Sequence, residues 1–178
     1  MTQTDEMSLD AWGEPRSKTV SWYDPQRTAA ASVGLSGIEF MKAIADGRLA
    51  PPPIAQLMGF RIRDVEPGRV VFEGTPDESV YNPIGVVHGG LVCTLADSVI
   101  GCAVHTTLDS GIAYTSIDIA VNYLRPVTVT SGTLVATGTV IKPGRRIATG
   151  EAQIVDGNGR LVASATGNCF VFSLEGQG

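Results

Sequence analysis

Two features of this chain have the residue types and spacing for chemistry: a lone aspartate, Asp97, inside the apolar run Leu91 to Val104, and the tripeptide His88-Gly89-Gly90 just before that run. An ionised carboxylate in such a setting costs several kcal/mol unless it is paired, solvated or put to use. Two readings of Asp97 follow: it bonds a neighbouring hydroxyl or amide or faces a wet subunit interface, or it serves as a base or nucleophile. The tripeptide falls where a helix must begin, and helix starts present unpaired N–H groups with a partial positive charge. Such a place favours a developing oxyanion. Gly89 and Gly90 remove the side chains that would keep an acyl or phosphoryl group away from the backbone. Taken alone, the tripeptide is equally well a tight loop-to-helix turn.

From Gly90 to Asp97 a helix rises roughly 10 Å over nearly two turns, too far for the carboxylate to reach a carbonyl held at its own helix start. If two such helices pack antiparallel across a two-fold axis, Asp97 of one chain falls near Gly89 of the other. Two equivalent composite sites result. The spacing therefore predicts an obligate dimer.

The elements that must position these groups follow from pattern. The helix from Gly89 or Gly90 to about His105 is apolar nearly all round and must be enclosed. Strand-like runs Phe60 to Glu66 and Arg69 to Gly74, split by Pro67-Gly68, predict a hairpin before it. Four long strand-like runs come after it: Ala113 to Leu124, Gly132 to Ile141, Arg146 to Val155 and Arg160 to Phe172. The breaks between them, at Arg125-Pro126, Lys142-Pro143-Gly144 and Asp156 to Gly159, are short and turn-rich, which predicts sequential antiparallel neighbours. The result is an α+β arrangement, a curved antiparallel sheet wrapped around a long central helix, the shape called a hotdog. Upstream, residues 1 to about 31 read as an arm, and Ser36 with Glu39 has capping-box spacing for a short helix from Gly37 to Asp46. Pro51-Pro52-Pro53 forms a stiff break, and Ile54 to Met58 predicts one further helical turn. The division is an N-terminal extension over 1–50 and a main domain over 51–174.

Composition narrows the function. Thirteen basic and eighteen acidic side chains give a net charge of −5, against a nucleic-acid partner, which needs a basic face. Cys93, Cys102 and Cys169 are odd in number and lie in apolar segments, as free thiols do in a reducing compartment. The start lacks signal-peptide character, and the longest apolar run is too short to span a membrane. A cytoplasmic protein with no membrane partner is expected. His88 and His105, the two histidines, lack chelating spacing, so no metal is expected.

Asn82, His88-Gly89-Gly90 and Asp97, with Tyr81-Asn82-Pro83 before and Asn122-Tyr123-Leu124-Arg125-Pro126 after, resemble the hotdog acyl-CoA thioesterases of the phenylacetic-acid-pathway (PaaI-like) family. The likeness spans Pro52 to about Phe172. It implies that Asp97 activates water or attacks the thioester, and that Asn82 helps position the nucleophile. It implies further that the Gly89 N–H polarises the thioester oxygen, that His88 holds that loop, and that Ser116 or Thr115 orients the water. A homotetramer, as a dimer of dimers, is implied as well. No cofactor is expected, coenzyme A being part of the acyl-CoA substrate. The residues agree with this, since thioester hydrolysis needs a nucleophile and a donor to the oxygen that becomes negative. General base and nucleophile both require the same ionised Asp97 and are not distinguished.

Among the other polar residues, Lys142, Arg145 and Arg146 cluster at a hairpin tip, either as phosphate contacts for coenzyme A or as an ordinary charged turn. His105, at the helix end, reads as a partly charged cap on the helix dipole. Asp118 and Asn122 read as the polar face of a strand. Rival readings on the same fold are a non-catalytic acyl-CoA-binding or sensor module, which would not need Asp97, and an acyl-CoA hydratase, whose usual His-plus-acid pattern is absent.

Overall fold

A computed structural model describes residues 12–174. The part of the expected arm that covers residues 1–11 lies outside the described residues. The elements are α1 (Pro25–Ala31), α2 (Gly37–Ala45), α3 (Pro53–Met58), β1 (Phe60–Glu66), β2 (Arg69–Gly74), α4 (Gly89–His105), β3 (Ile112–Tyr123), β4 (Leu134–Lys142), β5 (Ile147–Val155) and β6 (Leu161–Ser173). The six strands form one sheet in the order β1-β2-β4-β5-β6-β3. Every neighbouring pair is antiparallel. This is the expected α+β hotdog: the sheet curves around α4. The register shifts in β1, β3, β4 and β6 are bulges that bend and twist the strands carrying them.

Close approach of helix to sheet depends on small residues along the concave face. A side chain at Gly138 would place its Cβ 2.2 Å from the Val99 carbonyl oxygen of α4. Gly138 pairs with Ala152, which pairs with Ala165, and Gly150 pairs with Gly167. Around this small-residue track the helix buries Leu91, Val92, Leu95, Ala96, Val99, Ile100, Ala103 and Val104. The enclosure is one-sided within a single chain. Gly90, Cys93, Thr94, Asp97 and Ser98 form a stripe that the sheet does not bury.

The expectation of four sequential neighbours is corrected at its first break. β3 pairs with β6 at the sheet edge, whereas β4 pairs with β2 and β5. The chain between β3 and β4 runs from Leu124 to Thr133 and contains a 3-10 turn, Val129–Ser131. That is longer than a hairpin loop. It buries Val127, whose carbonyl accepts from the Val87 N–H at 2.8 Å. The crossing segment thereby ties down the loop that leads into α4.

The arm reading is corrected as well, because α1 forms within it. Asp24 caps it by accepting from the Gln26 N–H at 2.9 Å, and Pro25 sits at the first helical position, where its fixed φ suits a helix start. The capping box of α2 is present: Glu39 accepts from the Ser36 N–H at 2.8 Å and from its hydroxyl at 2.6 Å. Met41 of α2 joins the core. A Cβ at Gly37 would lie 1.7 Å from the His105 carbonyl oxygen, so α2 rests directly on the end of α4. Among the described residues no helix is long and apolar enough to cross a membrane.

Candidate active site

At the start of α4, His88 is the N-cap, and its Nδ1 accepts from the Gly90 N–H at 2.8 Å. The His88 N–H donates to the Val80 carbonyl at 2.8 Å, which anchors the turn from the other side. Asn82 organises the preceding loop. Its side-chain oxygen accepts from the N–H groups of Ile84 and Val86 at 3.1 and 3.3 Å.

The two glycines prove to make room for the chain's own side chains. A Cβ on Gly90 would sit 2.8 Å from His88 Nδ1, and one on Gly89 would sit 3.2 Å from the Tyr123 ring. The Tyr123 hydroxyl donates to the Gly89 carbonyl at 3.1 Å. With the Gly90 N–H taken by His88, the Gly89 N–H is the donor at this helix start for which no partner appears among the described residues. Gly89 lines a cavity of about 270 Å³ with Val86, Tyr123, Leu124 and Arg125. Arg125 is a residue the sequence reading quoted without giving it a role. Its place directly after the strand that carries Tyr123 was the available signal.

Asp97 lies two turns further along α4 and is exposed rather than enclosed. Solvent and one hydrogen bond relieve the desolvation expected from its apolar neighbours in sequence. Ser116 Oγ donates to Asp97 Oδ1 at 2.7 Å. Of the two candidates on this strand, Ser116 therefore makes the contact. Ser116 pairs with the buried Cys169 and so shares the helix-facing side of the sheet, whereas Thr115 pairs with Phe170 on the alternate face. A bulge follows immediately, between Ser116 and Asp118. Beyond it, Asp118 accepts from Asn168 Nδ2 at 3.1 Å and Asn168 Oδ1 accepts from Thr149 at 2.8 Å. Asp118 is exposed, as the strand pattern predicted.

Asp97 and Ser116 line a second and larger cavity, about 620 Å³, that runs along α4 past Ser98, Gly101, Cys102 and His105 toward α1, α2 and α3. His105 does not act as a charged cap there. Its ring packs between Phe40 and Tyr114, with centroids 5.4 Å from each, and burial pushes its pKa below the ordinary value. Desolvation outweighs the attraction of the helix dipole for a cation. Burial also raises the Tyr114 hydroxyl well above its usual range and pushes the Cys102 thiol, its hydrogen-bond partner, up to about 12. Tyr114 was not singled out by sequence, and Cys102 was read there as a free thiol in an apolar segment. Gly101 admits the Tyr114 ring, since a Cβ there would come within 2.8 Å of it.

Asp97 and Gly89 thus line different cavities within one chain. Lys142, Arg145 and Arg146 are in neither. Arg145 borders a separate hollow with Thr107, Leu108 and Asp109, beyond the C-terminal end of α4. What the assembled groups offer is a solvated carboxylate beside a hydroxyl, an open backbone donor at a helix start, and an apolar recess. These are the parts of an acyl-transfer site.

Comparison with known proteins agrees. The Thioesterase superfamily model matches residues 84–163. Human acyl-coenzyme A thioesterase 13 is 32% identical over 98 residues, 54% of this chain and 69% of that protein. The chain belongs to the thioesterase superfamily, a class of thioester hydrolases. Among solved structures, the PaaI protein of the phenylacetic acid degradation operon of E. coli is 25% identical with a TM-score of 0.67, covering 78% of this chain and 96% of that one. The Streptococcus mutans protein smu.793, solved bound to acetyl CoA, is 26% identical with a TM-score of 0.59, covering 65% and 90%.

Proposed function

We propose that this enzyme hydrolyses an acyl- or aryl-CoA thioester to the free acid and coenzyme A at a site shared between two copies of the chain. Asp97 of one copy acts as base or nucleophile, with Ser116 orienting it or its water. The Gly89 N–H of the other copy, at a turn held by Asn82 and His88, polarises the thioester carbonyl. The observation that carries the reading is the pairing of Asp97 with Ser116 in one cavity while Gly89, with its open N–H, lines another. Gly89 and Asp97 are eight residues apart, a helical rise of about 12 Å, so a second chain has to bring the two halves together.

A dimer is supported by the edge strand. β3 is twelve residues long, lies at the sheet edge and exposes Ile117 and Tyr123. An uncovered strand of that length invites pairing with another chain. It also carries Ser116, so a subunit seam there passes beside Asp97. Arg125 shares a cavity with Gly89 and is our leading candidate for binding coenzyme A phosphates. Lys142, Arg145 and Arg146 are retained as a second, separate set, with Gly90 beside the Gly89 donor and Thr115 beside Ser116 on the alternate face of the strand.

The test follows free-thiol release from a panel of acyl- and aryl-CoA esters by wild type and Asp97→Asn. Loss of a positioned base lowers the rate about 100- to 10,000-fold, and because Asp97 is exposed, Tm should be unchanged. Undiminished hydrolysis by Asp97→Asn would sink the assignment. Consumption of enoyl-CoA without thiol release would indicate a hydratase, and tight binding without turnover a sensor. Mixing inactive His88→Ala chains with Asp97→Asn chains should restore activity, because one composite site of each hybrid is intact. No recovery in confirmed hybrids would refute the shared site.

A further inference from the structure

The larger cavity is completed by residues that precede the segment matched by the superfamily. We propose that residues 25–58 form the acyl-selecting wall of the active site, and that the group they select is an uncharged hydrocarbon acyl chain of medium length. The identity of the ligand rests on the thioesterase reading above.

The geometry starts at Asp97. Ser98, Gly101, Cys102 and His105 follow it on one stripe of α4. Asp97 to His105 is a helical rise of about 12 Å. An extended chain advances about 3.4 Å for every three bonds, so a linear acyl group of about ten bonds spans the stripe. Facing it stand Phe40 and Ile44 of α2 with Phe60 and Ile62 of β1, and Pro25 and Ala29 of α1 stand at the outer wall. The wall is held firmly, because Gly37 lets α2 rest on α4 and its N–H donates to the Leu108 carbonyl at 3.0 Å. A recess of about 620 Å³ is within the range that encloses drug-sized ligands. An acetyl group would leave it mostly empty.

The chemistry of the lining excludes a charged acyl terminus. Beyond Asp97 the recess is lined by His105 and Cys102 of α4 and Tyr114 of β3, and burial favours the neutral form of each. Arg61, the cation that borders the cavity among the described residues, has a solvent-exposed side chain paired with Glu73 at 2.5 Å. A distal carboxylate would therefore be desolvated without a partner. Methylene groups gain instead, each buried one contributing about a fourfold factor.

The experiment measures kcat/KM of the full-length protein on straight-chain acyl-CoA esters from acetyl to palmitoyl, with benzoyl-, phenylacetyl- and succinyl-CoA, and binding of the same esters to Asp97→Asn by calorimetry. Both quantities should rise about fourfold per methylene and level off at roughly eleven carbons. Succinyl-CoA should fall about 100-fold or more below a straight-chain ester of the same length. Ile44→Trp should move the optimum to shorter chains. Ala45→Trp should do the same, at an exposed position lining the cavity where the fold is not at stake. A flat profile, an optimum on succinyl or aryl esters, or an unmoved optimum in both tryptophan variants would overturn the proposal. Length-dependent binding to Asp97→Asn without thiol release by wild type would leave the wall standing and remove the thioesterase reading. Thiol release with a flat profile would do the reverse.

Discussion

The start of α4 and its middle are built on opposite plans. At the start, His88, Tyr123 and Asn82 all serve the backbone: His88 occupies the Gly90 N–H, Tyr123 holds the Gly89 carbonyl, and Asn82 shapes the incoming loop. The Gly89 N–H is left open, fixed in direction by groups that do not themselves compete for it. In the middle, the arrangement serves a side chain. Asp97 projects from a regular helix, takes one hydroxyl hydrogen bond and opens onto an apolar recess. The first plan makes a preorganised donor of a weak group, and the second leaves a carboxylate open to water beside a single hydroxyl. One helix can carry both because they are separated by two turns, and it is this separation that a partner chain bridges in the proposed function.

The contrast can be broken at the donor end first. Gly89→Ala puts a Cβ against Tyr123 at 3.2 Å and should tilt the open N–H away from the carbonyl, lowering kcat about 100-fold, the scale of one lost oxyanion donor. Recovery in Gly89→Ala/Tyr123→Ala would show that the ring contact is the cause. Equal loss in the double variant would mean that the glycine is needed for the substrate itself. A smaller effect is expected at the carboxylate end. Ser116→Ala removes one hydrogen bond to a charged group, about 1.5 to 3 kcal/mol, and should cost roughly 10- to 100-fold in kcat. Ser116→Thr should recover part of it, and an unchanged rate in Ser116→Ala would remove Ser116 from the mechanism.

The smallest effect is on stability rather than rate. His105 has a folded-state pKa below its ordinary value of 6.5. The unfolded chain therefore takes up this proton at a higher pH than the folded chain. Stability is fully present above about pH 6.5 and declines as pH falls from there toward the depressed folded value. Thermal melts between pH 7.5 and 5.5 should show a falling Tm, and His105→Phe should flatten that slope. An equal slope in the variant would assign the decline to other groups.

The limits of sequence reading follow a physical division. The Phe60–Gly74 hairpin, α2 with its capping box and the extent of α4 were legible because each depends on neighbours a few residues away. The Asp24-Pro25 start of α1 was equally local and was missed, because the segment around it is polar and lacks hydrophobic period. His105 was misjudged for another reason: its charge state depends on Phe40 and Tyr114, which reach it from other elements. The glycines were read as space for a substrate, whereas their contacts with Tyr123 and His88 exist only once β3 and the cap are in place.

By itself, then, the sequence determined the elements, their turns and the spacing of His88-Gly89-Gly90 and Asp97, because helical rise and strand alternation are properties of local backbone geometry. It also carried enough of a family pattern to identify the superfamily. Tertiary structure alone decided that β3 leaves its neighbour in sequence for β6, that one stripe of α4 stays open, and that α1 to α3 close over the recess beside Asp97. Those outcomes depend on which distant surfaces fit one another, as where Gly138 admits Val99 and Gly37 admits His105. No short stretch of sequence contains both halves of such a fit.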